Sequence, residues 1–171
     1  MLRPPALNDI SMDAIIKNEP NDLMGVLQYL DEVATWIDED VAVIDKITIE
    51  NRIEAGKLEA KQHNLAYERQ KMRGDYELLA GANMARGITK VGQYSDSNDI
   101  PPSAEMQLKQ RELDLLTNEI DTTAAKRQEL LSTNERLKKR IDELGVIRSR
   151  TGARLGQKRN LLNSVPSKYN S

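Results

Sequence analysis

The fold is decided by residues 23–51, which read LMGVLQYLDEVATWIDEDVAVIDKITIEN. Steps of seven residues from Leu23 reach mainly apolar side chains as far as Leu79, with Asn51 as the single polar member of this row. A companion row, four residues further along, starts at Leu27 and becomes more polar after Ala55. Alternating steps of four and three residues are the heptad pattern of a coiled coil, so this stretch predicts a long helix.

A second row with the same seven-residue spacing runs from Met106 to Leu162, and Asn134 is its single asparagine. When Leu79 is aligned with Met106 in an antiparallel pair, Asn51 falls opposite Asn134. A buried Asn–Asn layer fixes the register of a coiled coil at some cost in stability. We therefore predict that Asn51 and Asn134 form a register layer between two antiparallel helices.

Prolines and glycines mark the predicted boundaries, since both residue types are typical of helix ends and loops. Pro20, Gly81, Pro101–Pro102 and Pro166 flank the two periodic stretches. The predicted organisation has five parts: a flexible or short amphipathic segment at 1–20, a first long helix at 21–80, a connector rich in Gly, Ser, Asp and Pro at 81–103, a second long helix at 104–163, and a tail at 164–171.

The distribution of charge supports the antiparallel orientation. Residues 21–50 contain eight acids and one base, whereas residues 148–171 contain six bases and no acid. An antiparallel pair places much of the acidic segment beside the basic one, whereas a parallel homodimer would align like charges. The predicted fold class is all-α: an elongated antiparallel coiled-coil helical hairpin of two helices, each about 60 residues long and roughly 90 Å in length, within a larger helical bundle.

A second apolar stripe lies off the seam of the first helix and favours a partner-binding face. Large exposed apolar patches usually mark interfaces, and Trp and Tyr are favoured anchors there. An alternative is that residues 7–16 fold back over the stripe. The predicted interface residues are Val26, Tyr29, Val33, Trp36, Val43 and Ile47.

A basic run near the C-terminus has the charge that phosphate binding requires, but no interleaved aromatics and no recognised DNA-binding motif. Pairing of these bases with the acidic first helix is the favoured alternative. The candidate anion-binding residues are Arg148, Arg150, Arg154, Lys158 and Arg159.

The sequence offers little for catalysis. It contains no Cys and one His, His63, which lies between polar residues on the predicted helix surface. It also lacks the glycine-rich phosphate loop, the dinucleotide-binding motif and the nucleophile elbow. We expect no enzymatic activity, no catalytic residue, no cofactor and no metal site.

The predicted function is that of a coiled-coil structural or adaptor subunit in a multi-subunit assembly, of kinetochore or spindle, transcription-regulator or tethering type by architecture alone. Other helical subunits are the expected partners, in a hetero-oligomer rather than a homodimer. Two alternatives are a nucleic-acid or chromatin accessory protein that uses the basic run, and a holdase chaperone or vesicle tether. A Cys-free chain without a long apolar run is expected inside the cell, in the cytoplasm or nucleus.

Overall fold

The computed structural model of the chain describes residues 2–91 and 101–164. Its elements are a 3₁₀ helix at Pro5–Leu7, followed by helices α1 (Met12–Lys17), α2 (Leu23–Val91) and α3 (Ala104–Ser164). Helix α2 packs against α3, so the described residues form an all-α helical hairpin, as predicted. Two ion pairs show that the helices are antiparallel. Glu59 of α2 contacts Arg127 of α3, and Lys61, later in α2, contacts Glu119, earlier in α3.

Side chains cap the start of both long helices. The Ser103 hydroxyl accepts a hydrogen bond from the Met106 amide at 3.2 Å, and the Asp22 carboxylate accepts one from the Gly25 amide at 2.8 Å. Both caps satisfy amides that have no partner within the helix. Helices α2 and α3 begin at Leu23 and Ala104, beside predicted starts at 21 and 104.

The sequence predicts that the first helix stops at Gly81, but α2 continues to Val91. A glycine inside a helix costs only about 1 kcal/mol relative to alanine, so the helical residues on both sides of Gly81 outweigh its weak preference for a helix end. Residues 81–91 of the predicted connector are therefore helical. The rest of that connector before Pro101 lies outside the described residues, as does the predicted tail beyond Ser164.

The described chain divides into two compact units, each containing parts of both long helices. The first comprises Met1–Asn51 and Ser132–Ser171, and the second Arg52–Leu131. The main hydrophobic core belongs to the first unit, where the N-terminal arm, residues 2–19, packs against α2 and α3. The arm is a folded amphipathic segment rather than a flexible one, since Leu7, Ile10 and Ile15 are fully buried.

The second unit buries a narrower set of side chains along the predicted seam. Ala55, Leu65, Met106, Leu113 and Thr123 are buried there, all from the two heptad rows. The Thr123 hydroxyl is satisfied because it donates to the Glu119 carbonyl, 2.7 Å away, in the preceding turn of its own helix. Among the described residues of this unit, no third segment covers the pair of helices.

Candidate functional site

The predicted register layer is present in the first unit. The Asn51 side-chain amide donates to the Asn134 side-chain oxygen at 2.9 Å, and the Asn134 amide donates to the Thr48 carbonyl at 3.1 Å. Asn134 is buried and Asn51 is half-buried. A register shifted by one heptad in either direction would separate the two amides and set Asn134 opposite Leu58 or Ile44, and an unpaired buried amide is destabilising. This layer therefore selects one alignment of α2 and α3.

The apolar stripe predicted as a partner interface is largely covered by the N-terminal arm. Val26, Tyr29, Val33 and Trp36, here called the covered stripe, are at most 5% exposed. They share one core cluster with the arm side chains. The expectation of an open stripe is corrected for these four residues, because the arm supplies its own apolar side chains and buries them within the chain.

The tyrosine of the covered stripe also fixes the arm through its polar end. The Tyr29 hydroxyl donates to the Ile15 carbonyl at 2.7 Å. Loss of contact with water raises the pKa of Tyr29 to about 12, and the nearby negative charge of Glu19 adds to the shift. Tyr29 thus stays neutral and remains a hydrogen-bond donor far above neutral pH.

The N-terminal end of the arm is held by a bidentate ion pair. The Arg3 guanidinium donates to both carboxylate oxygens of Asp40, at 2.7 and 2.6 Å, and its Nε donates to the Leu7 carbonyl at 2.9 Å. The hydrogen bond with Asp40 raises the pKa of Arg3 above its ordinary value. Asp40 interrupts the apolar stripe in the sequence, and its position at the end of the arm explains this interruption.

Two further contacts attach the arm to α3. Arg140 donates to the Ile10 carbonyl at 2.9 Å and pairs with the exposed Asp9 at 3.0 Å. Glu19, whose side chain is only 9% exposed, accepts from Arg154 at 2.7 Å and faces Lys158 at 3.8 Å. Ion pairs of Arg3, Asp9 and Glu19 thus lie before, among and after the buried apolar side chains of the arm, and they fix the arm against α2 and α3.

The candidate anion-binding run is mostly engaged in such pairs. Arg148 contacts Asp38 at 3.2 Å, while Arg154 and Lys158 share Glu19. Arg150 and Arg159 are exposed and make no ion pair within residues 2–91 and 101–164. Of the three paired bases, Arg148 pairs with an acid of the first helix, as the favoured alternative expected, whereas Arg154 and Lys158 pair with Glu19 of the arm.

Beyond the arm, the last two residues of the predicted interface remain accessible. Val43 is 59% exposed and Ile47 is 39% exposed; these two residues are called the open pair. They continue the covered stripe along α2 past Asp40, where the arm ends. The open pair is the part of the predicted interface that stays free within the described chain.

The second unit has an apolar groove that is not among the sites predicted from the sequence. It is about 430 Å³ in volume, with Leu78 and Leu79 on α2 and Leu108 on α3 among its lining residues. A signal was available, because Leu78 lies six heptads beyond Trp36 in the same heptad position. Polar residues such as Glu54 and Lys57 interrupt the stripe between Ile47 and Leu78, so its recurrence near the end of α2 is hard to recognise in the sequence.

Among the described residues, no group of three His, Cys, Asp or Glu side chains could hold a metal ion. His63 lies on the surface of α2, 4.0 Å from Glu59, with its side chain 79% exposed. No helix in the described part of the chain is long and apolar enough to cross a membrane. In comparisons with known proteins, no family model matches the chain, and no curated protein or solved structure shows significant similarity to it.

Proposed function

We propose that the chain is a non-enzymatic coiled-coil structural or adaptor subunit of a multi-subunit assembly. The observation that carries the proposal is the open pair, Val43 and Ile47, on a helix pair whose register is locked. A helix pair in fixed register presents its surface residues at fixed distances, which is what a scaffold requires. Apolar residues that continue a packed interface into solvent favour a protein partner as the ligand.

Partners with helices of their own suit this surface best, in a hetero-oligomer. The open pair is bordered mainly by acidic and polar residues, including Glu39 and Glu50, with the base Lys46 beside them. Two copies meeting through this face would bring like charges together, which disfavours a homodimer. As part of the same proposal the assembly works inside the cell, in the cytoplasm or nucleus, where a Cys-free chain is at no disadvantage.

The nucleic-acid alternative has weaker support. Neutralisation of Arg148, Arg154 and Lys158 by acids of the same chain leaves Arg150 and Arg159 as the exposed bases of the run. Non-specific DNA binding normally uses many more phosphate contacts and weakens steeply with salt. A full chain that binds duplex DNA tightly and with a steep salt dependence would favour this alternative over the adaptor.

The proposal is tested with the tagged full chain purified from its native source. Val43→Ser combined with Ile47→Ser should remove the proteins that co-purify in fixed ratio with the wild-type chain. Ile53→Ser is the matched control, because Ile53 is a similarly exposed isoleucine, at 56%, on another face of α2. Far-UV circular dichroism checks that both variants remain helical. Unchanged co-purification after the double substitution, or a wild-type chain without stoichiometric companions, would contradict the proposal.

A further inference from the structure

The groove of the second unit is lined by exposed leucines of both long helices. Leu78 is 75% exposed and Leu108 is 56% exposed, and both line this groove. One heptad further along α3, Leu115 is 68% exposed and extends the apolar row. Leucines at such exposure on both helices of a pair are unfavourable in water, so this surface favours coverage by another helix.

The side of the helix pair that carries this groove is formed by the same heptad positions as the side that the arm covers in the first unit. Leu78 stands at the heptad position of Trp36, and Glu105 at that of Arg140, which binds the arm. In the first unit the N-terminal arm fills this flank with Leu7, Ile10 and Ile15. The comparison indicates that the groove of the second unit fits a further segment with leucine or isoleucine side chains. A helix presents such side chains at the one-heptad spacing that separates Leu108 from Leu115.

The charges around the groove specify that helix more closely. Along α3, glutamates at 105, 112 and 119 alternate with Leu108 and Leu115. Glu112 is paired with Lys109 at 3.5 Å, and Glu119 with Lys61 at 3.3 Å.

The two other acids beside the groove have no such compensation. Asp75 and Glu105 both line it, and neither has an ion pair within the described part of the chain. Lys109 is the one basic residue among the lining residues, and Glu112 already neutralises it. The groove therefore presents an apolar floor with an uncompensated negative rim.

We propose that this groove binds a basic amphipathic helix of a partner protein, with leucine or isoleucine on one face and lysine or arginine beside it. The apolar face contacts Leu78 and Leu108, and the basic residues pair with Asp75 and Glu105. This inference rests on the proposed adaptor function and names the chemistry of one partner. A second copy of the chain fits less well, because a two-fold contact of this groove with itself places acid against acid.

The probes are two synthetic helical peptides with the same leucine row, one flanked by lysines and the other by glutamates. Each is fluorescently labelled and titrated with the full-length chain at low salt, with fluorescence anisotropy as the readout. We expect the lysine peptide to bind at least tenfold more tightly, a ratio that corresponds to about 1.4 kcal/mol. Its affinity should fall as salt rises, because the rim contacts are charged and exposed.

Substitutions then assign the binding to the groove. Leu108→Ser should weaken the lysine peptide about tenfold, whereas Leu161→Ser, a matched change at a leucine of α3 that is 53% exposed, should have no effect. Asp75→Lys combined with Glu105→Lys should reverse the preference toward the glutamate peptide. Because all four positions are exposed, the helix content should not change, and circular dichroism verifies this.

Three results would overturn the inference: equal binding of both peptides, no binding of either, or lysine-peptide binding that Leu108→Ser leaves unchanged. A wild-type dimer in sedimentation equilibrium that Leu108→Ser dissociates would also overturn it, since the occupant would then be a second copy. None of these outcomes tests the role of the open pair, Val43 and Ile47, in binding a partner. The adaptor function stands if companions still depend on Val43 and Ile47, so the two proposals fail separately.

Discussion

The contribution of the register layer can be measured with a double-mutant cycle at Asn51 and Asn134. Asn134→Ala removes the hydrogen bonds to Asn51 at 2.9 Å and to Thr48 at 3.1 Å, whereas Asn51→Ala removes only the first. At about 1 kcal/mol per bond, the free energy of unfolding should fall by about 2 kcal/mol for Asn134→Ala and by about 1 kcal/mol for Asn51→Ala. Because the shared bond is lost only once, the double variant should lose about 2 kcal/mol, a coupling of about 1 kcal/mol.

Urea unfolding followed by Trp36 fluorescence is a suitable assay. Trp36 is the single tryptophan of the chain, it is buried, and it belongs to the same compact unit as the two asparagines. Asn118→Ala is the control, since this exposed asparagine of α3 measures the helix-propensity gain of an Asn-to-Ala change alone. If the single effects add to within about 0.3 kcal/mol, the two side chains are not coupled and the account of the register layer is wrong.

Other predictions concern the arm and the core beneath it. The raised pKa keeps Tyr29 neutral in the folded chain at pH values where the unfolded tyrosine ionises. Between pH 10 and about 12 the free energy of unfolding of the wild-type chain, measured in urea, should therefore fall by up to about 2–3 kcal/mol relative to Tyr29→Phe. Parallel pH profiles for the two proteins would contradict this. Arg3→Met should speed hydrogen exchange of residues 7–16 about tenfold, and an equal change with the exposed Lys17→Met would refute a specific role for the Asp40 pair. Leu144→Ala, at a fully buried position, should cost about 2–5 kcal/mol in thermal unfolding and Leu161→Ala under about 0.5 kcal/mol, so similar losses would argue against the observed core.

The seam and its register could be predicted because they depend on a periodic signal. Heptad spacing identifies which side chains face the other helix, and the two lone asparagines then fix the alignment. The observed bond between Asn51 and Asn134 agrees with that alignment. Helix ends were harder to predict, since Gly81 lies within α2 where helical neighbours on both sides outweigh its weak preference for an end.

The docking of the arm could be considered from the sequence but not decided. Many of its polar contacts join residues that are far apart in the sequence, such as Arg3 with Asp40, 37 positions apart, and Arg154 with Glu19, 135 positions apart. Contacts of this kind follow no repeat, so nothing in the spacing indicates which acid meets which base. The arm has few apolar residues, and they occupy a short segment of the sequence. The same pattern would therefore suit a segment that binds another protein.

The long separation between Glu19 and its partners has a consequence for how the chain is made. Arg140, Arg154 and Lys158, which hold the arm, are synthesised well after Trp36. Until then the face around Trp36 lacks its α3 neighbours Leu144 and Leu155, so the native core of the first unit can form only after these leucines have been added. The second unit, a continuous segment from Arg52 to Leu131, is complete earlier. A nascent chain stalled after residue 139 should therefore be bound by chaperones through its N-terminal third.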